Sequence, residues 1–142
     1  MMRRWPAGAL PPATPVSDTL RWGAMVALGG ALGAVLRWRV GLWLNPLALP
    51  FAAGTLAVNV AGGLLIGLSL VWFEQHPNET LRLLLVTGGL GGLTTFSTFS
   101  AESLTLLLRG DAGLALLHSL AHVLGALLAV AAGWWLGRQC WV

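Results

Sequence analysis

The sequence has no lysine and little charge of any kind. Five acids and eight arginines make up 9% of its 142 residues, against about 25% in ordinary globular chains. So little charge does not cover a soluble sphere of this size. A hydrophobic content of 56% is equally foreign to a disordered chain. Cysteine occurs once, at Cys140, which excludes an internal disulfide and a multi-cysteine metal site. The basic residues are not gathered anywhere: Arg3, Arg4, Arg21, Arg37, Arg39, Arg82, Arg109 and Arg138 are spread along the chain. A nucleic-acid surface needs them clustered on one face, so nucleic acid is not an expected partner. Glycine, by contrast, is plentiful, with 19 residues where the usual share of about 7% would give roughly half as many.

What the chain has instead of charge is long uncharged runs. Residues 1–21 hold Pro6, Pro11, Pro12 and Pro15 and read as a disordered, proline-rich N-terminal tail. The apolar stretch in that tail is too short and too broken for a signal peptide, whose core needs about 7–15 apolar residues. Residues 22–142 read as a transmembrane domain. Its first run, Trp22–Leu36, extends to about Leu44 before Asn45-Pro46 and Pro50 end it. The others are Phe51–Phe73, Leu83–Ala101 and Ala112–Gly137, separated by the polar turn at 74–79 and the hairpin Arg109-Gly110-Asp111. At 1.5 Å per residue, about 20 residues cross a hydrocarbon core of ~30 Å. The expected fold is therefore all-α, with four transmembrane helices in a lipid bilayer, and the expected location is the cell (inner or plasma) membrane. Both termini fall on one side, with five arginines there and three on the other. That bias is too weak to fix one orientation, which is what a chain inserted both ways would show. Four short helices enclose little, which favours an oligomer. Glycine pairs four apart, Gly29/Gly33, Gly63/Gly67, Gly88/Gly92 and Gly133/Gly137, support close helix contacts within or between subunits.

The third run carries the most chemistry. Four glycines within 88–92 precede Thr94-Thr95-Phe96-Ser97-Thr98-Phe99-Ser100. Glycine costs about 1 kcal/mol per residue in a helix, so the glycine run predicts an unwound stretch at membrane depth. Carbonyls freed there can hold a small cation such as Na⁺; a kink with Ser/Thr bonded back to the helix is the plainer alternative. Phe96 and Phe99, three apart, share a helical face, and ring edges carry partial positive charge suited to a small anion. Asn59 stands alone in an apolar run, as an interhelical clamp or a pore-lining donor. Arg37 either snorkels to the interface or draws anions into a vestibule. His118 and His122 lie four apart on one face. With no carboxylate expected beside them, they read as polar pore lining rather than a metal site. Glu102 reads as an interfacial helix-end charge. No nucleophile, base and orienter converge, so no catalytic residue and no enzyme is expected.

Three segments, residues 29–38, 54–62 and 88–100, resemble the Fluc/CrcB fluoride channels, and the similarity runs from about Trp22 to Gly137. The TTFSTFS motif at Thr94–Ser100 is the most specific part; the tail has no counterpart. The resemblance implies an antiparallel, dual-topology homodimer of four-helix subunits, each third helix broken at the glycine-rich segment. It implies two fluoride pores per dimer, a central structural Na⁺, and passive export that lowers cytoplasmic fluoride toxicity. By motif, Gly91 and Thr94 match the positions whose backbone carbonyls hold Na⁺. Phe96 and Phe99 match the pore phenylalanines, Asn59 the pore asparagine and Arg37 the vestibule arginine. Thr95 and Thr98 match hydroxyl positions beside them, with Ser97 in the same pore segment. His118 and His122 fall on the fourth helix's polar track, where the family often has Tyr and Ser. A different class, a small dual-topology multidrug or cation exporter, needs a membrane carboxylate in its first helix, and Trp22–Leu36 has none.

Overall fold

The computed structural model describes residues 16–46 and 51–142, which are helical apart from short turns and one break. Helix α1 spans Val16–Leu44 and α2 spans Ala53–Gln75. The third span is composite: α3 (Glu79–Arg82), a π-helical stretch (Leu83–Leu90), the single turn α4 (Gly91–Leu93), then α5 (Phe96–Leu108). Helix α6, Ala112–Trp141, completes the chain. All four spans are long and apolar enough to cross a bilayer, and the chain is a multi-pass cell-membrane protein. Helix α1 starts at Val16, inside the segment read as tail. Once Pro15 is passed nothing interrupts it, and Asp18 sits in the first turn, where an acid favours the helix N-terminus. Residues 1–15 lie outside the described residues.

The packing is inverted relative to a soluble bundle. Large apolar side chains such as Leu32, Trp38, Leu116 and Leu128 face outward, as lipid requires. The interior is built from small residues that let backbones touch. Gly33 and Gly92 show how closely α1 meets the third span. A Cβ on Gly33 would overlap the carbonyl oxygen of Gly89 and come within 2.7 Å of the Leu93 nitrogen, and one on Gly92 would overlap Gly30. The same relation joins α2 to α6, where Gly67 faces Val130 and Gly133 faces Leu64. The glycine pairs expected to support close contacts therefore meet one another inside a single subunit, and they argue nothing about an oligomer.

The break in the third span does not fall in the glycines. Gly88–Gly92 stay helical, in the π-helical stretch and α4. The chain leaves helical geometry at Thr94 (φ −81°, ψ 155°) and Thr95 (φ −150°, ψ 119°). The helical cost of glycine is offset here by the close approach to α1. The hydroxyl-bearing pair after the glycines carries the break because it can satisfy the released backbone, as described below. Beyond α5, Gly110 adopts φ 84°, a left-handed conformation natural to glycine, and folds α6 back on α5.

Candidate functional site

Asn59 and Thr95 hold the break. The Thr95 N–H donates to Asn59 Oδ1 at 2.8 Å, and Asn59 Nδ2 donates to the Thr95 carbonyl at 3.0 Å. One side-chain amide thus supplies the acceptor that the Thr95 N–H lacks at the break, and adds a donor to the carbonyl that opens α5. Thr95 in turn caps α5. Its Oγ1 accepts from the Thr98 N–H at 3.1 Å and donates to Thr98 Oγ1 at 3.0 Å, and Ser97 Oγ lies 3.2 Å away. On the other side of the break, the Thr94 N–H and hydroxyl both return to the Leu90 carbonyl, each at 2.9 Å. Asn59 thus acts as the clamp between two spans, and it also borders a cleft.

That cleft, about 300 Å³, is lined by Asn59, Thr95, Phe96, Phe99 and His122 with apolar residues of α2 and α6. Phe96 is 77% exposed while Phe99 is 9% exposed. Their rings meet edge-on with centroids 5.3 Å apart. Phe99 also stacks on His122 (4.8 Å) and His118 (5.5 Å). A second opening, about 660 Å³, holds Arg37, Asn45, Thr55, Thr95 and Thr98. Thr95 borders both. Arg37 is also tied to the break, because its Nη1 donates to the Thr94 carbonyl at 3.2 Å. The Gly91 carbonyl, whose helical partner would be the Thr95 N–H, loses it to Asn59. Of the two carbonyls matched to a Na⁺ site, one is therefore released and the other already serves a cation.

The histidines differ from their reading as simple pore lining. His118 is fully buried and lines neither opening; His122 is 4% exposed. His118 Nε2 lies 3.2 Å from Glu102 Oε2, and its Nδ1 lies 2.9 Å from Ser103 Oγ. Glu102 also accepts from the Thr55 hydroxyl. Glu102 is thus no interfacial helix-end charge. It is a carboxylate inside the bundle, next to the two histidines that were expected to lack one. The signal was present in the hairpin: Glu102 and His118 stand eight residues either side of Gly110, so an antiparallel α5–α6 pair brings them level.

Four membrane-crossing helices, with a broken third span lining a cleft of neutral donors and ring edges, define a small polytopic membrane protein of the ion-transport kind. The family model described as CrcB-like protein, Camphor Resistance (CrcB), matches residues 24–134, and the chain belongs to that family. Among its curated relatives is the fluoride-specific ion channel FluC of Aromatoleum aromaticum, 54% identical over 114 residues, 79% of this chain and 84% of the relative. The fluoride-specific ion channel FluC of Cupriavidus pinatubonensis is 53% identical over 117 residues, 80% and 91% of the two chains. That of Thiobacillus denitrificans is 51% identical over 112 residues, 78% and 90%.

Proposed function

We propose that this chain is a fluoride channel that passes the anion passively out of the cell. The observation that carries this reading is the uncharged cleft at the helix break, bounded by Asn59, Thr95 and the two phenylalanines. Fluoride is small and holds its water tightly, so a path must replace that water with several donors of modest strength. An amide has two N–H groups. Asn59 spends one on Thr95 and keeps the other for the cleft. The hydroxyls at Thr95, Ser97 and Thr98 can rotate to donate, and the edges of Phe96 and Phe99 add weak positive potential. Each donor is weak enough to release the ion to the next. Arg37, at the second opening, raises the local anion concentration without lining the cleft. The membrane potential supplies the drive, about 2.3 kcal/mol per charge per 100 mV. Hydrogen fluoride enters neutral, dissociates, and its anion leaves. An exporter of the multidrug kind has less support, because α1 carries its one acid, Asp18, in its first turn.

The working unit in this reading is an antiparallel homodimer with two paths and a Na⁺ between its halves. The Gly91 carbonyl is a hard oxygen donor without its helical partner, which suits Na⁺; the Thr94 carbonyl suits it once Arg37 turns away. When bound, the ion would tie together carbonyls from two copies and offset their repulsion. The direct test uses purified protein in liposomes loaded with fluoride or chloride. Fluoride efflux far above chloride efflux is the expected result; equal fluxes, or none, would overturn the reading.

A further inference from the structure

Glu102, His118 and His122 form a cluster that the proposed fluoride path does not need. One ligand-type atom from each lies within 4.8 Å of the other two. Burial is unusual for such a group: the histidines are 0% and 4% exposed, and the Glu102 side chain is 21% exposed. One atom has no partner at all. His122 Nδ1 is committed to the His118 carbonyl at 3.1 Å, while His122 Nε2 is buried with nothing to bond. An orphaned buried nitrogen is costly, so its persistence beside a carboxylate and a second imidazole calls for a ligand.

We propose that Glu102, His118 and His122 bind a divalent transition-metal ion, of the kind represented by Zn²⁺, and that the bound ion blocks the anion path. Two imidazoles and a carboxylate are a donor set suited to such ions. Both rings have their Nδ1 held by an oxygen, Ser103 Oγ for His118 and a backbone carbonyl for His122. That arrangement orients Nε2 towards a metal, as partners of ligating histidines generally do. Binding through Nε2 requires the tautomer of His118 with its proton on Nδ1, where it can donate to Ser103 Oγ. A tetrahedral ion with bonds of about 2.0–2.1 Å sets ligand atoms roughly 3.4 Å apart. The His118–Glu102 pair is already at 3.2 Å, and a turn of the His122 ring with a swing of the carboxylate closes the rest. Three protein ligands leave the fourth position to water or an anion.

The blocking half of the proposal rests on the fluoride-channel reading. His122 lines the cleft with Phe99, and Glu102 lines a neighbouring opening with Thr98 and Arg109. The cluster therefore stands between them, against the ring of Phe99. One Zn²⁺ with one carboxylate leaves a net positive charge there. Such a charge would hold a fluoride ion rather than pass it on.

The test is Zn²⁺ binding to the purified full chain by calorimetry, with Co²⁺ absorption as a reporter of coordination. The background carries His76→Gln and Cys140→Ser, which remove an exposed histidine and the exposed thiol. The expected result is one ion per chain with a tetrahedral Co²⁺ spectrum. His122→Gln should weaken binding at least tenfold, and Glu102→Gln, which keeps the shape of the side chain, should do the same. No binding in the background, or binding unchanged by both variants, would overturn the site. Fluoride efflux is then measured with and without Zn²⁺. Efflux that falls several-fold with Zn²⁺, and far less in Glu102→Gln when each is compared with its own metal-free efflux, supports the block; undiminished efflux with the ion bound overturns it. Absence of efflux in metal-free vesicles counts against the channel reading instead, and the binding measurement still decides the site.

Discussion

Asn59 answers for two things at once, and substitutions can separate them. Asn59→Asp keeps the acceptor for the Thr95 N–H but removes the donor to the Thr95 carbonyl. It also brings a negative charge to the edge of the cleft. Fluoride efflux should fall about tenfold or more, since 1.4 kcal/mol on a barrier is already tenfold. Asn59→Ala loses both bonds and should lower resistance to denaturation in detergent by about 1–2 kcal/mol, the upper end for polar contacts between membrane helices. Phe96 makes a cleaner probe of the path. At 77% exposed it contributes little to the packing of the subunit, so Phe96→Ile should leave the unfolding profile unchanged. Efflux should still drop sharply, because a branched aliphatic chain offers no ring edge. Unchanged efflux would place that ring outside the path.

At the scale of helices, stability is set by where backbones meet. Gly33→Ala puts a methyl group onto the backbone of Gly89 and Leu93, and should destabilise by about 1–3 kcal/mol as overpacking does. Gly23→Ala in the same helix meets nothing within 4 Å, and should be neutral or stabilising by up to about 1 kcal/mol. Denaturation of the two variants side by side checks the contrast. The four spans were legible because turns such as Arg109-Gly110-Asp111 interrupt uncharged runs long enough to cross a bilayer. The break was misplaced because propensity treats glycine as a breaker. In this bundle glycine is the residue that lets α1 approach. What opens the chain is Thr94–Thr95, held by Asn59 from 36 residues away, and no local window contains both. Of the residues expected to line a pore, Asn59, Thr95, Phe96, Phe99 and His122 border one cleft, Thr98 borders the second opening, Ser97 borders neither, and His118 lies in the interior. Glu102 was misread for a related reason, since its burial depends on the register of the α5–α6 hairpin rather than on its neighbours in sequence.

For the whole molecule, orientation is the open variable that most affects function. The sequence has a single cysteine, and Cys140 is exposed near the end of α6. A thiol reagent that does not cross membranes should therefore label about half of the chains in intact cells if the subunit inserts both ways. Labelling of nearly all or nearly none would mean one orientation, and the antiparallel dimer would be excluded. The π-helical stretch Leu83–Leu90 bears on how such a chain tolerates change. It is wound wider than an α-helix, so it holds more residues per turn than the helices beside it. Seven residues wound as an α-helix turn through nearly the same angle as the eight present here. Deleting one of its leucines would therefore let the stretch tighten to α while Thr95 kept its direction towards Asn59. Inserting one has no such outlet, and would swing Thr95 away from Asn59 while every motif residue remained in the sequence. A one-residue insertion here should therefore do more damage than a one-residue deletion.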